Sequence, residues 1–588
     1  MFNKIFCFFL ITLTVAKINA QSIDGSSLLP ADSLLFKTSI AGENSSDIQL
    51  ISINGQSFQK AYHISTVNQS GNGYSLKCPI KEAVQKGDVL LFSFYSRTIS
   101  SRRETGLAFF EARLNHYING KNTWPPLLER GMSFGSEWVF TQIPFKAAKD
   151  INSGDLAFDL NCGAEQQVLE IGGVSLVNYK QSVALNSLPK STVHYDGDEP
   201  DAAWRKTAEE RIEKFRKGDL LIKVLDKKGK PVQGATVAVQ MKSSAFAWGT
   251  ATSSQLILNS ENANATIYRD TLLRYFDKVV LENEMKSKNW QRFNTKQTKA
   301  GVDWFDKHQI PVRGHVMVWP SWRHSPHLVK YKEDTAALRK IILQQIQEQA
   351  AAMKGRFTEW DVINEPYAHH NIIDALGGKS VMLDWFAAAR KNAPGVKLFL
   401  NDYTMFHEKD MGSESFFNTI KYLVDNKAPL DAIGEQAHIG GTPPSINYVL
   451  ERLDRFSVFG LPIQISEFDI TSDDDDFKAR YMNDFMTAIF SHPSANGFMQ
   501  WGFWESAHWM PAGALWDKDW NLRPQGKVFT ELVSKTWRTN ENGLTGKDGI
   551  YSIRGFNGDY EITVTYKEKK VLKNCSLDKK GKSITVKF

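Results

Sequence analysis

The sequence "EWDVINEP" (residues 359–366) contains the pattern on which the fold prediction depends. Asp361-Val362-Ile363 predicts a short buried strand that ends on an amide and a carboxylic acid, Asn364 and Glu365, before Pro366 stops it. An apolar core disfavours such a polar pair. Polar residues at the end of a buried strand are typical of active sites in α/β barrels.

The same pattern recurs along the second half of the chain, where short apolar runs alternate with helix-like stretches such as "TAALRKIILQQIQEQAAAMKG". Eight βα units over about 290 residues fit the length of a (β/α)₈ barrel, an α/β fold. The predicted strands are 247–253, 278–284, 311–319, 357–365, 397–403, 431–438, 462–470 and 495–503.

Most of these predicted strands begin with apolar residues and end with polar ones. The polar ends are Glu282-Asn283-Glu284, His315, Asn364-Glu365, Asn401-Asp402, Gln436 with His438, and Glu467 with Asp469. Because the carboxyl ends of the strands meet at one face of such a barrel, we expect these side chains to line a single pocket.

Two carboxylates in this set indicate the chemistry of the pocket. Glu365 ends the fourth predicted strand and Glu467 lies near the end of the seventh, on opposite sides of the barrel mouth. Glycosidic bond cleavage needs two facing acids, about 5 Å apart for retention or about 6.5–9.5 Å apart for inversion. The alternative is that both are strand-end acids in surface ion pairs. The sequence contains no phosphate-binding loop, dinucleotide fingerprint or metal-ligand cluster, so we expect neither a cofactor nor a metal.

Several segments resemble the motifs of a known family. "WDVINEP", "GEQAHIG", "ISEFDI", "ENEMK", "RGHVMVW" and "WGFWESAHW" are similar to segments of glycoside hydrolase family 10, the retaining β-xylanases, over about 250–537. The resemblance implies a retaining endo-β-1,4-xylanase that hydrolyses xylan. It further implies that Glu365 is the general acid/base and Glu467 the nucleophile.

The resemblance also implies supporting roles for other residues. His438 and Asp469 would support Glu467, and Asn364 would hold the 2-hydroxyl of the sugar that is cleaved. The implied substrate-binding residues are Glu282, Asn283, Lys286, His315, Trp319, Tyr403, Gln436, Trp501 and Trp509. The reaction requires Glu365 to be protonated near neutral pH, so we expect the charge of Glu467 to raise the pKa of Glu365.

The third-strand segment departs from the family pattern. The family usually continues Trp-His-Ser-Gln, whereas this chain has Trp319-Pro320-Ser321-Trp322. Pro320 has no side-chain donor for the contact that the family histidine makes with the reactive sugar. The departure therefore concerns a substrate contact and leaves the two catalytic acids unchanged.

The rest of the chain predicts further domains. Short alternating runs between regular turns are typical of an antiparallel β-sandwich, here one that resembles carbohydrate-binding modules. Two groups of predicted strands flank the barrel, and neither forms a stable sheet alone, so we expect them to pair into a small sandwich. The expected divisions are a signal peptide (1–20), the first sandwich (28–185), a linker and helix (186–217), the small sandwich (218–241 with 540–588) and the barrel (242–537).

The N-terminal sequence and the net charge predict where the protein is located and which partners it binds. Lys4 precedes the apolar run "IFCFFLITLTVA" and "INA" before Gln21, which predicts a secretory signal peptide and a secreted or periplasmic protein without a membrane span. A formal net charge of +6 spread along 588 residues argues against a nucleic-acid partner. We expect a monomer with a polysaccharide substrate. The sequence leaves undecided whether Cys78 and Cys162 form a disulfide. It also leaves two alternative functions: hydrolysis of another β-linked glycan, and polysaccharide binding without catalysis.

Overall fold

The computed structural model describes most of the chain after its N-terminal segment. The described residues are 25–29, 37–38, 48–66, 75–101, 107–118, 121–162, 166–193, 195–259, 263–290, 295–406, 412–440, 443–472 and 474–588. The predicted signal peptide lies outside them.

Eight parallel strands form a closed barrel, as the sequence predicted. The first strand pairs with both the second and the eighth, and the sixth pairs with the seventh, which closes the ring. The eight strands are Ala247–Thr252, Lys278–Leu281, Val312–Gly314, Phe357–Asn364, Lys397–Asp402, Ala432–Glu435, Ile463–Ile470 and Ala495–Gln500, and the short strand His438–Ile439 pairs with the seventh. Every residue of Ile463–Ile470 is buried, as expected for a parallel strand that is covered on both faces.

Helices cover the outside of the barrel because each carries an apolar stripe toward the strands. The α-helices are Ala203–Phe215, Ser254–Leu258, Ala263–Tyr275, Ser287–Trp290, Thr295–Lys307, Thr335–Ala352, Asn371–Ala375, Ser380–Asn392, Gly412–Asp425, Ile446–Phe456, Asp475–Ser491 and Pro524–Glu531. Shorter helical turns are Leu185–Ser187, Pro326–Tyr331, Ser457–Phe459, Glu505–Ala507, Pro511–Gly513 and Leu532–Thr536. None of the helices in the described ranges has the length and apolar character needed to cross a membrane.

A buried ion-pair network holds three strands of the barrel together. Arg313 on the third strand is 1% exposed and donates to Asp361 on the fourth strand and to Gln464 on the seventh. His315 also contacts Asp361, with 2.9 Å between His315 Nδ1 and Asp361 Oδ2. Buried charges persist only when they are paired and hydrogen-bonded. The network therefore fixes the strands whose ends carry His315, Glu365 and Glu467.

The N-terminal region is a sandwich of two antiparallel sheets, again as predicted. One sheet contains Ser26–Ser27, Ile48–Ser52, Lys60–Ser65, Val89–Ser101, Val139–Lys146 and Gln167–Asn178; the other contains Lys37–Thr38, Ser75–Ile80, Ala108–Ile118, Lys121–Phe134 and Leu156–Asn161. Phenylalanine rings from both sheets fill the core, including Phe92 against Phe158 and Phe94 against Phe110. Cys78 and Cys162 are buried free thiols, so the disulfide considered from the sequence is not formed.

The segments that flank the barrel pair with each other. Lys217–Leu225 lies between Ile550–Phe556 and Lys582–Lys587 in a three-stranded sheet. A four-stranded sheet contains Asn540–Leu544, Thr236–Ser244, Gly558–Tyr566 and Lys569–Leu577, in that spatial order. Both sheets combine strands from before and after the barrel, which agrees with the predicted fold class. The chain therefore enters and leaves the barrel side by side.

Candidate active site

Glu365 and Glu467 lie at the carboxyl ends of the fourth and seventh barrel strands. Their exposures are 3% and 5%, so both side chains are removed from bulk water. The backbone of Glu365 has φ +54°, a left-handed conformation that non-glycine residues seldom adopt outside strained or functional positions. The Glu365 N–H donates to the carbonyl of Asn401, 2.8 Å away, which holds this strand end against the fifth strand.

A line of side-chain amides connects the two acids. Asn401 Nδ2 donates to Glu467 Oε1 and to Asn364 Oδ1, and Asn364 Nδ2 donates to Glu365 Oε1, each over 2.8 Å. The hydroxyl of Ser466 donates to Asn401 Oδ1. Since a carboxylate only accepts hydrogen bonds, the contact with Glu467 fixes the orientation of the Asn401 amide and hence that of Asn364.

Glu467 is further surrounded by the predicted supporting residues. His438 Nε2 lies 3.6 Å from Glu467 Oε2, and His438 Nδ1 lies 3.0 Å from Asp469 Oδ1. Burial opposes the charged imidazolium, but the Asp469 and Glu467 carboxylates hold the pKa of His438 well above its usual value. Trp509 Nε1 donates to Asp469 over 2.6 Å, and its ring is 44% exposed at the mouth of the pocket. The cluster therefore presents a positive group to Glu467.

Glu365 has a different environment from the one that the sequence predicted. Its Oε1 accepts from Asn364 and Gln436, and its Oε2 lies 3.2 Å from Trp319 Nε1 and 3.3 Å from His369 Nε2. Burial by itself raises the pKa of Glu365, but the hydrogen bond and charge of His369, together with Gln436, lower it to about 2. The expectation of a raised pKa was wrong, because it considered only the charge of Glu467.

Comparison with known proteins identifies the family. The model of Glycosyl hydrolase family 10 matches residues 213–531, more than half of the 588-residue chain. The chain belongs to this family.

Relatives of this family 10 protein match only part of its length. The anti-sigma-I factor RsgI6 of Acetivibrio thermocellus is 31% identical over 62% of the chain and 47% of the relative. Endo-1,4-beta-xylanase 1 of Arabidopsis thaliana is 28% identical over 64% of the chain and 40% of the relative. The chain thus spans less than half the length of these curated relatives.

Solved structures also match. Native xylanase 10B from Thermotoga maritima has 23% identity and a TM-score of 0.45, covering 50% of this chain and 96% of its own. The CBM22-1-GH10 modules of Clostridium thermocellum xylanase 10B, complexed with xylohexaose, have 15% identity and a TM-score of 0.42, covering 83% of this chain and 93% of their own.

The other predicted site residues of this family 10 protein lie around the same strand ends. Glu282, Asn283 and Lys286 follow the second strand and are half-buried, with Lys286 Nζ 3.2 Å from Asn283 Oδ1. Glu282 and Asn283 also line a cavity of about 480 Å³. Trp501 is buried with its ring against His315, and Tyr403 is 4% exposed. The structure therefore places Glu282 and Asn283 at a cavity beside the second strand, while Tyr403 and Trp501 are largely covered.

In the altered third-strand segment, residues 319–322, the aromatic rings pack against other protein side chains. The Trp319 ring stacks on the His324 ring, with 3.8 Å between the ring centroids and 5° between the ring planes. Lys286 Nζ lies 5.5 Å from the Trp319 ring centroid. Trp319 therefore reaches Glu365 with its indole N–H, while its ring packs against protein. Trp322 is half-buried and packs on the barrel core. Pro320 is buried, and its carbonyl accepts the N–H of Ile372.

Sequence reasoning predicted no role for three residues of this site. Asn401 was expected to line the pocket as a polar strand end, but its contacts with Asn364 and Glu467 were not predicted. His324 and His369 were also not assigned, and they surround Trp319 and Glu365. The spacing of His369, four residues after Glu365 and beyond Pro366, is the signal that could have indicated a contact.

Proposed function

We propose that this protein is a retaining endo-β-1,4-xylanase that hydrolyses xylan by double displacement. The observation that carries the proposal is the pair of buried acids, Glu365 and Glu467, at facing strand ends and joined by the Asn364–Asn401 amide line. A binding protein has no need for two opposed carboxylates in fixed orientations, whereas glycosidic cleavage requires them. Membership of family 10 and similarity to proteins named endo-1,4-beta-xylanase support the same reaction.

In the first step, a carboxylate oxygen of Glu467 attacks the anomeric carbon while Glu365 protonates the departing glycosidic oxygen. Asn401 orients Glu467, and the positive His438 stabilises its charge before attack. The carbon–oxygen bond to the leaving sugar breaks, and a covalent glycosyl ester on Glu467 forms. In the second step, Glu365 removes a proton from water, and the water oxygen displaces Glu467.

The remaining side chains are proposed to bind the sugar chain. Asn364 donates to Glu365 and would exchange that contact for the 2-hydroxyl of the reacting sugar. Glu282, Asn283 and Lys286 supply hydrogen-bonding groups on the non-reducing side. Trp509 is the most exposed aromatic residue of the site and covers the pyranose face.

The identity of the glycan depends on the third-strand segment. Pro320 supplies no donor to the reacting sugar, and a missing hydrogen bond costs roughly 0.5–1.5 kcal/mol. Another β-linked glycan on the same barrel is therefore the second candidate, and the observation that favours it is this substitution. Product analysis on xylan, β-glucan and galactan panels separates the two candidates.

We also propose roles for the other regions. The N-terminal sandwich binds polysaccharide, and the protein is a monomer that is exported after cleavage before Gln21. N-terminal sequencing of the exported protein, sedimentation and a pull-down of the isolated region on insoluble xylan test these points separately.

Chemical rescue tests the roles of the two acids. Glu467→Ala abolishes turnover, and added azide restores activity with an inverted product because it replaces the nucleophile. Glu365→Ala retains the first step on substrates with good leaving groups, and azide then gives a retained product. The reverse stereochemistry in either variant would exchange the two assignments.

A further inference from the structure

All but one of the groups that contact the Glu365 carboxyl can only donate a hydrogen bond to it. The amide nitrogens of Asn364 and Gln436 and the indole N–H of Trp319 have no acceptor capacity at the contacting atom. His369 Nε2 is the exception, because an imidazole nitrogen both gives and takes a proton. Three donor-only contacts occupy acceptor sites of the Glu365 carboxyl, and among the four contacts only His369 Nε2, in its unprotonated form, accepts a hydrogen bond from an O–H on Glu365. With the proton on His369 Nε2, the geometry thus favours the ionised form of Glu365.

Local structure holds His369 toward Glu365. The His369 N–H donates to the Glu365 carbonyl over 3.0 Å, which closes one turn after the strand and brings the two side chains together. His324 packs edge-on against His369 with ring centroids 4.6 Å apart. Burial and the charge of His369 lower the pKa of His324 to about 4, so the His324 ring is uncharged at neutral pH. The His369 side chain is 22% exposed and can therefore exchange protons with solvent.

We propose that His369 holds the proton that Glu365 delivers to the leaving sugar. This inference rests on the proposed function, in which Glu365 is the general acid/base. In the first step, the proton on His369 Nε2 passes to Glu365 Oε2, and the resulting carboxylic acid gives its proton to the glycosidic oxygen as the C1–O bond breaks. In the second step, Glu365 takes a proton from the attacking water and returns it to His369. One proton leaves the pair and one returns in each cycle.

The low pKa of Glu365 agrees with this scheme, since a carboxylic acid that ionises at about 2 does not itself hold a proton at neutral pH. Other charged and titratable groups lie around the pair. They are Arg323 and His324 after the third strand, Lys286 and Lys288 after the second, Asp402 on the fifth, and Glu467 on the seventh through the amide line.

Leaving-group dependence tests the proposal in the full-length protein. His369→Gln retains an N–H donor for Glu365 but carries no exchangeable charge. We expect kcat/KM for xylotetraose to fall about 100- to 1000-fold, within the range of general acid catalysis, and kcat/KM for 2,4-dinitrophenyl β-xylobioside to change less than about threefold, because dinitrophenolate leaves without a proton. Retained activity on the second substrate also shows that the variant is folded.

The pH profile gives a second readout. The high-pH limb of kcat/KM on xylotetraose should move to lower pH in His369→Gln, because a carboxyl ordinarily loses its proton at lower pH than an imidazole. His369→Ala should regain activity on xylotetraose when imidazole is added. His370→Gln is the matched control: His370 is exposed and pairs with Asp374, so both substrates should behave as with the parent protein.

Two outcomes would overturn the inference and are distinguishable from failure of the proposed function. Equal loss on both substrates without imidazole rescue would indicate a structural role for His369, and unchanged xylotetraose cleavage would indicate no role. In both cases Glu365→Ala would still lose the xylotetraose reaction selectively. If the parent protein cleaves neither xyloside, or Glu365→Ala shows no such selectivity, the proposed function itself is wrong.

Discussion

Asn401→Ala should uncouple the two acids. Asn401 is fully buried and makes three hydrogen bonds, to the Glu467 carboxylate, to the Asn364 carbonyl and from the Ser466 hydroxyl. Alanine removes all three and leaves Glu467 Oε1 and Asn364 Oδ1 without this donor. Since Asn364 in turn orients Glu365, both carboxyl groups lose a positioning contact.

The structure sets the magnitude of the effect. A hydrogen bond to a charged group contributes roughly 1.5–3 kcal/mol and a neutral one roughly 0.5–1.5 kcal/mol. Losing one charged and two neutral bonds should lower the free energy of unfolding by roughly 2.5–6 kcal/mol. A displacement of about 1 Å at a reacting group costs on the order of 100-fold, so we expect kcat to fall by about that factor.

Steady-state kinetics on an aryl β-xylobioside and thermal unfolding measure the two effects together. Asn115→Ala is the matched control, because Asn115 is also buried and donates to a carboxylate, Asp159, in the N-terminal sandwich. It should lower the melting temperature without changing kcat. A folded Asn401→Ala protein whose kcat falls less than threefold would refute the idea that the amide line positions the acids.

Three further predictions follow from particular contacts. Deleting 540–588 removes the partner strands of Lys217–Leu225 and Thr236–Ser244, so sedimentation should find insoluble protein; a soluble, fully active truncation contradicts this. Gly434→Ala places a Cβ 2.2 Å from Asn401 Oδ1, which displaces the Asn401 amide, so kcat should fall at least about tenfold. An unchanged kcat in steady-state kinetics would contradict this prediction. The raised pKa of His438 stabilises the folded protein fully below pH about 6.5, and this contribution is lost as the pH rises through the folded-state pKa. The melting temperature should therefore fall over that pH range, and His438→Gln should reduce the size of the fall. An unchanged slope would exclude His438 as its source.

The sequence was sufficient for the barrel and for the pairing of the flanking segments. Hydrophobic runs of strand length alternated with longer helical stretches, and this local periodicity persists in the structure because a parallel sheet buries both faces. Boundaries were less accurate: the third strand was predicted over 311–319 but is Val312–Gly314. The predicted run is buried almost throughout, so its hydrophobicity could not show where strand pairing ends.

The site was only partly predictable, because electrostatics depends on groups that are distant in the sequence. Glu365 and Glu467 could be selected as strand-end acids, and the closed barrel brings their strands to one face. The sequence could not show that Asn401 contacts both Asn364 and Glu467, since that contact requires the register between the fourth and fifth strands.

The sequence by itself determined the order of apolar and polar residues along each strand, and thereby the barrel and its two acids. Only the tertiary structure decided which groups surround Glu365. A turn after Pro366 places His369 against Glu365, and His324 and Trp319 close the space around it. The pKa of a buried carboxyl depends on which donors reach it within about 4 Å, and folding alone sets those distances.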